Sequence, residues 1–278
     1  MKRSIAVLVL LALLCVALPL TACARADFDG IAVEVLVVGQ SDCTLITVDG
    51  FTVLIDSGTV TERHSVQAAL ERLDVSHIDY LILTHAHEDH VGNARMLLEC
   101  YTVGAVLAPP STDEVLEGRL AKETAARQGV TWQIAEAGQS IPLGRAVVDV
   151  LLADPESENL NNGSMVLTVT FGNVRFLFTG DNEAEGEQRL LETVPPERLR
   201  SDFLKAGHHG SANATGEALL RVVRPTQVAF SCGLYNGYGF PSEAVLERLR
   251  AIGAEWHRTD TEGDLRYVSD GERIWLEA

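Results

Sequence analysis

The chain has 278 residues, enough for one large domain or two small ones, and its 46% hydrophobic and 22% charged residues are ordinary for a globular protein. Asp and Glu outnumber Lys and Arg by 39 to 22, so the formal net charge is −17. A field of this sign repels polyanions, which excludes an extensive nucleic-acid-coating surface. It does not exclude a nuclease, because two divalent metal ions bring about four positive charges to the reacting phosphodiester.

The N-terminal segment is typical of a secretion signal. Lys2 and Arg3 precede an apolar run from Ile5 to Leu20, which ends in small residues. The run has 16 residues and includes Pro19, whereas a membrane-spanning helix needs roughly 20 apolar residues. We therefore predict a signal peptide over residues 1–22 and disfavour a permanent membrane span.

The end of this segment, Leu-Thr-Ala-Cys at residues 20–23, resembles a bacterial lipobox, in which the cysteine is lipidated and becomes the mature N-terminus. We expect lipidation of Cys23, with residues 23–30 as lipid anchor and short tether, and thus an extracytoplasmic, membrane-anchored lipoprotein. The alternative is an ordinary signal peptide with an incidental cysteine. The other cysteines of the mature chain predict no disulfide framework, and we expect all of them to be buried as small apolar side chains. They are Cys43, Cys100 and Cys232.

The first half of the mature chain opens with three strand patterns. Asp49-Gly50, between the second and the third, is a strong two-residue hairpin signal. The three strands are predicted at residues 31–38, 43–48 and 51–56. Helical and strand patterns then alternate. The predicted helices lie at residues 64–73, 94–99 and 113–127, and the predicted strands at residues 80–83 and 103–107.

The second half repeats this style, with Gly172-Asn173 as another hairpin turn. Strands are predicted at residues 146–152, 165–171, 174–178, 203–206 and 227–231, followed by short final strands. Helices are predicted at residues 185–191, 215–223 and 242–252. No Pro/Gly/Ser-rich linker interrupts the pattern, so we predict one α/β domain over residues 31–278.

A cluster of metal-ligating residue types follows the strand at residues 80–83. His85, His87, Asp89 and His90 fall within six residues, at the carboxyl end of a strand, where α/β folds build their sites. Residues two apart in extended chain point the same way, so the first two histidines can share one metal while the other two side chains reach a second. Imidazole and carboxylate ligands favour zinc, with manganese or iron as alternatives. A histidine-rich surface turn without metal is the weaker interpretation, because these groups would repel one another when protonated.

Residues 84–92, THAHEDHVG, resemble the HxHxDH signature of the metallo-β-lactamase superfamily. Three further segments resemble motifs of the same family, in the same order. The resemblance implies that Asp56 in LIDSG is the early structural aspartate and that Asp181 in FTGD bridges two metals. It also implies that KAGHHGS supplies the last metal ligand from His208 or His209.

Six segments across the mature chain look like the soluble hydrolase domain of ComEC-type competence proteins and its stand-alone relatives. They are VVGQSDC, NNGSMVL, FTGDNEAEGE, KAGHHGSANAT, YNGYGFPS and HRTDTEGDL. This resemblance implies a four-layer αβ/βα sandwich that hydrolyses a phosphodiester with a water or hydroxide held between two metals. Nuclease activity is associated with the competence members.

The resemblance also assigns roles. His85 and His87 would bind the first metal, while Asp89, His90 and one of two adjacent histidines would bind the second. Asp89, His208 and His209 are accordingly the candidate catalytic residues. Because adjacent side chains on an extended segment point apart, we expect only one of His208 and His209 to be a ligand and the other to stabilise the oxyanion or donate to the leaving group.

Two positions depart from the family pattern. Many members have a further metal-binding histidine where this chain reads Asn161-Asn162-Gly163-Ser164, so the first metal would be weakly held unless Asn162, a water or substrate completes it. Phe240 also stands where relatives often have histidine. Lys205 could contact a substrate phosphate or be a plain surface lysine, and Asp42 could accept a hydrogen bond from a ligand imidazole or cap a loop.

The leading hypothesis is a metal-dependent phosphodiesterase at the cell surface that acts on nucleic acid, nucleotides or a wall polymer. One alternative is an acyl hydrolase of the same fold, a lactonase or thioesterase. Another is a non-catalytic metal-binding module that aids DNA uptake, although a purely structural site has no need of two adjacent ions.

Overall fold

The computed structural model describes residues 28–154 and 156–277. The predicted signal peptide, Cys23 and most of the tether lie outside the described residues. Within those ranges, no helix combines the length and the apolar character needed to cross a bilayer.

The described chain alternates strands and helices as its hydrophobic patterns predict. The strands are β1 (Ile31–Val35), β2 (Thr44–Val48), β3 (Phe51–Ile55), β4 (His77–Ile82), β5 (Thr102–Ala108), β6 (Thr131–Ile134), β7 (Ser140–Leu143), β8 (Ala146–Leu152), β9 (Val166–Phe171), β10 (Val174–Phe178), β11 (Phe203–Lys205), β12 (Gln227–Phe230), β13 (Glu255–Arg258), β14 (Leu265–Ser269) and β15 (Ile274–Glu277). The α-helices are α1 (Arg63–Arg72), α2 (Glu88–Val91), α3 (Ala94–Cys100), α4 (Leu116–Gln128), α5 (Ala184–Thr193), α6 (Pro196–Leu199), α7 (Glu217–Val223), α8 (Glu243–Ile252) and α9 (Thr259–Glu262).

The strands form two mixed sheets. The first has the order β15-β14-β1-β2-β3-β4-β5-β6, and the second has the order β13-β12-β11-β10-β9-β8-β7. The Asp49-Gly50 hairpin is confirmed: Val48 pairs with Phe51, and both turn residues have positive φ, 49° and 82°. Strands β3, β4 and β5 run parallel, as do β10, β11 and β12, so the segments that follow these strands meet at one edge of the sandwich.

The core separates into three apolar layers. Side chains from both sheets, among them Ile46 and Phe176, fill the space between the sheets. On the outer face of the first sheet, Leu45 packs with residues of α1, α3 and α4, and on the outer face of the second, residues of α5, α7 and α8 do the same. Because Leu45 and Ile46 are neighbours in one strand, they point into different layers. The predicted four-layer αβ/βα sandwich is therefore confirmed.

Three local expectations were wrong. The predicted helix over residues 113–127 is a 3₁₀ turn at Pro110–Glu114 and a separate α4, divided by the extended backbone of Val115. The turn folds back so tightly that a Cβ on Gly118 would lie 2.0 Å from Thr112 O. Short strands β6 and β7 were not predicted. Cys100 is exposed rather than buried, whereas the other two mature-chain cysteines are buried, and all three are free.

Candidate metal centre

The histidine-rich segment begins where β4 ends, beside the end of the parallel strand β3. This neighbourhood brings Asp56 against Thr84: Asp56 Oδ1 accepts from Thr84 N at 2.7 Å and Oδ2 from Thr84 Oγ1 at 2.8 Å. Asp56 Oδ2 also lies 2.8 Å from His90 Nδ1. A carboxylate on Nδ1 turns Nε2 of the imidazole toward a metal, which is the support that ligating histidines commonly receive. Asp56 thus orients a ligand and does not reach the cleft itself.

Four groups converge beside this imidazole. Asp89, His90, Asp181 and His209 each offer one ligand atom, and these atoms all lie within 4.8 Å of one another. Asp181 Oδ2 lies 3.3 Å from His90 Nε2 and 3.6 Å from His209 Nε2. Asp89 Oδ2 lies 3.2 Å from His209 Nε2. The remaining Asp181 oxygen and His90 Nε2 are buried without a hydrogen-bond partner among the described residues, which fits a cation in their midst.

His85 and His87 form the second part of the centre. His85 Nε2 lies 3.1 Å from His87 Nδ1 and 4.0 Å from Asp181 Oδ2. His85 is fully buried, whereas His87 borders the cleft. Asp181 consequently stands between two groups of imidazoles, an arrangement suited to two neighbouring ions.

Asp181 contacts the segment at residues 161–164, where many family members have a further metal-binding histidine. Its backbone N–H donates to Ser164 Oγ at 3.0 Å. Asn162, two residues earlier, uses its side-chain oxygen differently: it accepts from Glu183 N and Gly186 N, both at 3.1 Å. Asn162 therefore caps the start of α5. The expectation that its carbonyl could complete the first metal site is not supported by this geometry.

His208 and His209 lie on a tight turn, Gly207–Gly210, and not on the extended segment assumed from sequence. Both residues have left-handed backbone, with φ of 46° and 53°, a conformation that costs about 1–3 kcal/mol and is typical of functional sites. His209 is buried, and its Nδ1 lies 2.9 Å from Ser231 O. His208 borders the cleft, with Nδ1 3.0 Å from Glu183 Oε1 and Nε2 3.8 Å from Asp181 Oδ2.

Asp42 and Lys205 form a buried ion pair behind the centre. Lys205 Nζ donates to Asp42 Oδ2 at 2.8 Å, and Lys205 is only 3% exposed. Neither predicted role of Lys205, surface lysine or phosphate contact, agrees with this burial. Asp42 Oδ1 lies 3.5 Å from His209 Nδ1, so the pair supports the back of that imidazole.

The pKa values of the buried histidines and of Asp181 are shifted, because these ionisable groups lie close together and away from water. Burial lowers the pKa of His209, but the Asp181 and Asp42 carboxylates outweigh burial and raise this pKa to about 10. Burial would raise the pKa of Asp181, yet the adjacent His90 and His209 hold it well below its usual value. Burial and the nearby His90 hold the pKa of His85 well below its usual value. Burial lowers the pKa of His90, but Asp181 and Asp56 outweigh burial and raise this pKa well above its usual value. A metal ion bound by these imidazoles would compete with protons for the same nitrogens.

The centre opens into a cleft of about 540 Å³. Its described lining residues include no Lys or Arg. They are Gln40, Thr59, Thr61, Glu62, His87, Glu88, Asp89, His208, His209, Tyr238 and Phe240.

Four residues that support the centre were not predicted from the sequence. They contact the histidines or aspartates of the centre through backbone or side-chain atoms, and they are Thr84, Ser164, Glu183 and Ser231. The signal available for Glu183 was its place two residues after Asp181.

Comparison with known proteins identifies the family of the chain. The sequence profile described as "Metallo-beta-lactamase superfamily" matches residues 36–233. ComE operon protein 3 of Bacillus subtilis is 32% identical over 194 residues, which cover 69% of this chain and 25% of that protein. Recombination protein 2 of Haemophilus influenzae is 33% identical over 254 residues, 88% of this chain and 30% of that protein. The chain therefore spans about a quarter to a third of these curated relatives.

Among solved structures, the metallo-beta-lactamase fold protein YhfI from Bacillus subtilis has the same fold. It superposes with a TM-score of 0.60 at 12% sequence identity, over 90% of this chain and 100% of that chain. The ComEC-type resemblance is likewise confirmed by the competence and recombination proteins that match this chain.

Proposed function

Because this chain belongs to the metallo-β-lactamase superfamily, we propose that it is a metal-dependent phosphodiesterase acting outside the cytoplasm. The observation that carries the proposal is the position of Asp181 Oδ2. This buried oxygen lies 4.0 Å or less from imidazole nitrogens of four histidines, namely His85, His90, His208 and His209.

In this proposal the cluster would hold two divalent cations, preferably zinc. His85 and His87 would hold the first, Asp89, His90 and His209 would hold the second, and Asp181 would contribute to both. Bound there, the ions would supply Lewis-acid chemistry and lower the pKa of a water from about 15.7 toward about 7. Imidazole and carboxylate donors suit zinc, manganese and iron.

The chain itself supplies a proton-handling group. Glu183 engages Nδ1 of His208, which leaves Nε2 directed toward Asp181 at the edge of the cleft. With Nδ1–H donated to Glu183, His208 carries a second proton on Nε2 only as the imidazolium, and in that form it would donate this proton to the leaving-group oxygen and become neutral. We assign that role to His208 and the ligand role to the more buried His209.

A phosphodiester is favoured as substrate by the relatives named for competence and recombination, which are processes that concern nucleic acid. This chain spans only about a third of those proteins, so extending a role with nucleic acid from them to this chain is itself part of the proposal. The acidic net charge and the absence of Lys and Arg from the described cleft lining favour short substrates over long duplexes.

The membrane location belongs to the same proposal. Lipid on Cys23 would hold the enzyme at the extracytoplasmic face of the membrane, with a short link to β1. Labelling with radioactive palmitate tests this in cells that produce the chain: wild-type protein should carry label and Cys23→Ala should not, whereas Cys43→Ala should be labelled like wild type.

Hydrolysis assays discriminate the substrate class. The purified protein, loaded with zinc or manganese, is offered bis(p-nitrophenyl) phosphate, a lactone and a thioester. The proposal expects turnover of the phosphodiester above the other two, and loss of that turnover in Asp181→Ala but not in the surface variant Asp113→Ala. Preferred turnover of the lactone or thioester would replace the phosphodiesterase with an acyl hydrolase. Metal binding without any turnover would favour the non-catalytic module.

A further inference from the structure

A loop at the mouth of the cleft displays aromatic rings to solvent. It follows β12 and covers residues 233–241. Tyr238 borders the cleft although it is 73% exposed, and Tyr235 in the same loop is 94% exposed but does not border the cleft. Exposed aromatic side chains beside a reactive centre are candidates for ligand recognition.

Hydrogen bonds of the Asn236 side chain fix the conformation of this loop. Asn236 Nδ2 donates to Gly233 O at 3.0 Å and to Phe240 O at 2.7 Å, and Asn236 Oδ1 accepts from Phe240 N at 2.9 Å. One side chain thereby ties the two ends of the loop together. The glycines on either side of Tyr238 have no atom within 4 Å of the place where a Cβ would stand, so nothing crowds this tip.

The exposed ring connects to the metal centre through two neighbouring rings. Tyr238 stacks on Phe240 with ring centroids 5.4 Å apart and planes inclined by 19°. The Phe240 ring in turn lies edge-on to His208, 5.7 Å away. His208 Nε2 is 3.8 Å from Asp181 Oδ2. A series of ring contacts thus runs from the proposed leaving-group histidine through Phe240 to Tyr238.

The composition of the cleft restricts what can hold a substrate there. Glu62 and Glu88 border the cleft, and the part of its lining that the structure describes has no Lys or Arg. Phosphates other than the one at the metals would find no Lys or Arg partner in this cleft. Ion pairs with the sugar-phosphate backbone therefore cannot supply the affinity for a nucleic-acid substrate. Base stacking on aromatic rings is the other common source of affinity for single-stranded nucleic acid.

We propose that Tyr238 is a stacking platform for an unpaired nucleobase of the substrate, in a nucleotide directly attached to the phosphate at the metals. This inference rests on the proposed phosphodiesterase function and narrows its substrate to short or single-stranded nucleotides.

The test compares a thymidine dinucleotide with its counterpart in which one or both bases are absent. For the full chain with metal, Tyr238→Ala should lower kcat/KM on the dinucleotide about 5- to 100-fold, mainly through KM, and leave the fully abasic compound within about twofold. Tyr238→Phe should retain most of the activity, since the ring is kept. Tyr235→Ala should behave as wild type, which controls for loss of an exposed tyrosine from the same loop.

An equal loss on the dinucleotide and the fully abasic compound, or no loss on either, would overturn the platform. Binding of thymidine monophosphate decides the matter separately from catalysis. A Kd raised about fivefold or more by Tyr238→Ala alone supports the platform, even if wild-type protein hydrolyses no phosphodiester and the proposed function fails. An unchanged Kd in that variant, or an equal rise in Tyr235→Ala, counts against it.

Discussion

Asp56 Oδ2 and His90 Nδ1 lie 2.8 Å apart, and both side chains are almost completely buried. The contact joins the segment after β3 to the segment after the parallel strand β4, so the sheet itself sets the direction of a proposed metal ligand. Thr84, bonded to the same carboxylate through its backbone and hydroxyl, keeps the aspartate in place.

Replacing Asp56 with asparagine should weaken metal binding about 10- to 100-fold, because the neutral amide has one acceptor oxygen instead of two and accepts the hydrogen bond from His90 Nδ1 more weakly than the charged carboxylate does. Competition with a chromophoric chelator measures this affinity. Asp202 also accepts a backbone N–H, from Arg175 at 3.0 Å, but lies outside the centre, so Asp202→Asn is the control. Equal metal affinity in wild type and Asp56→Asn would contradict the orienting role.

The buried pair of Asp42 and Lys205 should be sensitive to the loss of one partner. Lys205→Met removes the lysine partner of a buried carboxylate and should lower the unfolding free energy by about 3–5 kcal/mol, whereas Asp42→Asn with Lys205→Met should recover a large part of the loss. Urea unfolding of the metal-free proteins measures both. The exposed pair of Lys122 and Asp113 is the control, and Lys122→Met should cost about 1 kcal/mol or less. Additive losses in the double variant would show that the two charges do not depend on each other.

Glu187 should make stability depend on pH. It accepts from Gly216 N at 2.9 Å and from Thr215 N, but burial dominates and raises its pKa from 4.5 to about 7. The folded protein therefore binds this proton more tightly than the unfolded chain. The resulting stabilisation is fully present below pH 4.5 and is lost as the pH rises through about 7.

The expected loss over that window is on the order of 2 kcal/mol relative to Glu187→Gln, which cannot ionise. Chemical unfolding of both proteins at equal metal content, at several pH values between 4 and 8, gives this difference. A constant or rising difference between wild type and variant would refute the raised pKa.

Substitutions of His208 and of His209 should have different effects on metal content and on kcat. His208→Gln should keep the metal content of wild type and lower kcat about 10²- to 10⁴-fold, as expected for loss of a proton donor. His209→Gln should lose part of the bound metal, because this imidazole faces Asp89 and Asp181. Metal analysis combined with phosphodiester kinetics separates the two results, and the exposed His64→Gln is the control. Metal loss in His208→Gln with full retention in His209→Gln would reverse the assignment.

Much of the fold was predictable because the strands carry strong local signals. Apolar runs, the Asp49-Gly50 turn and the segment from His85 to His90 all depend on neighbours in sequence. The break at Val115 was not predictable, since it follows from the packing of Thr112 against Gly118.

Within the site, residue type identified the candidate residues but not which partners their side chains contact. Lys205 reads as a surface residue, yet its partner Asp42 is 163 positions away in the chain. Asn162 reads as a substitute ligand, yet it caps a helix. The left-handed turn at His208 and His209 ends at Gly210, where a Cβ would stand 2.6 Å from Pro241, and this close approach is invisible in sequence.

Metal stoichiometry tests the central claim most directly. After loading with zinc and removal of excess by gel filtration, the wild-type chain should carry about two ions, the number that a shared carboxylate between two imidazole groups accommodates. Asp181→Ala should carry one ion or none, and Asp113→Ala should match wild type. A wild-type chain that binds no metal, or an Asp181→Ala variant that retains two ions, would contradict the two-metal centre.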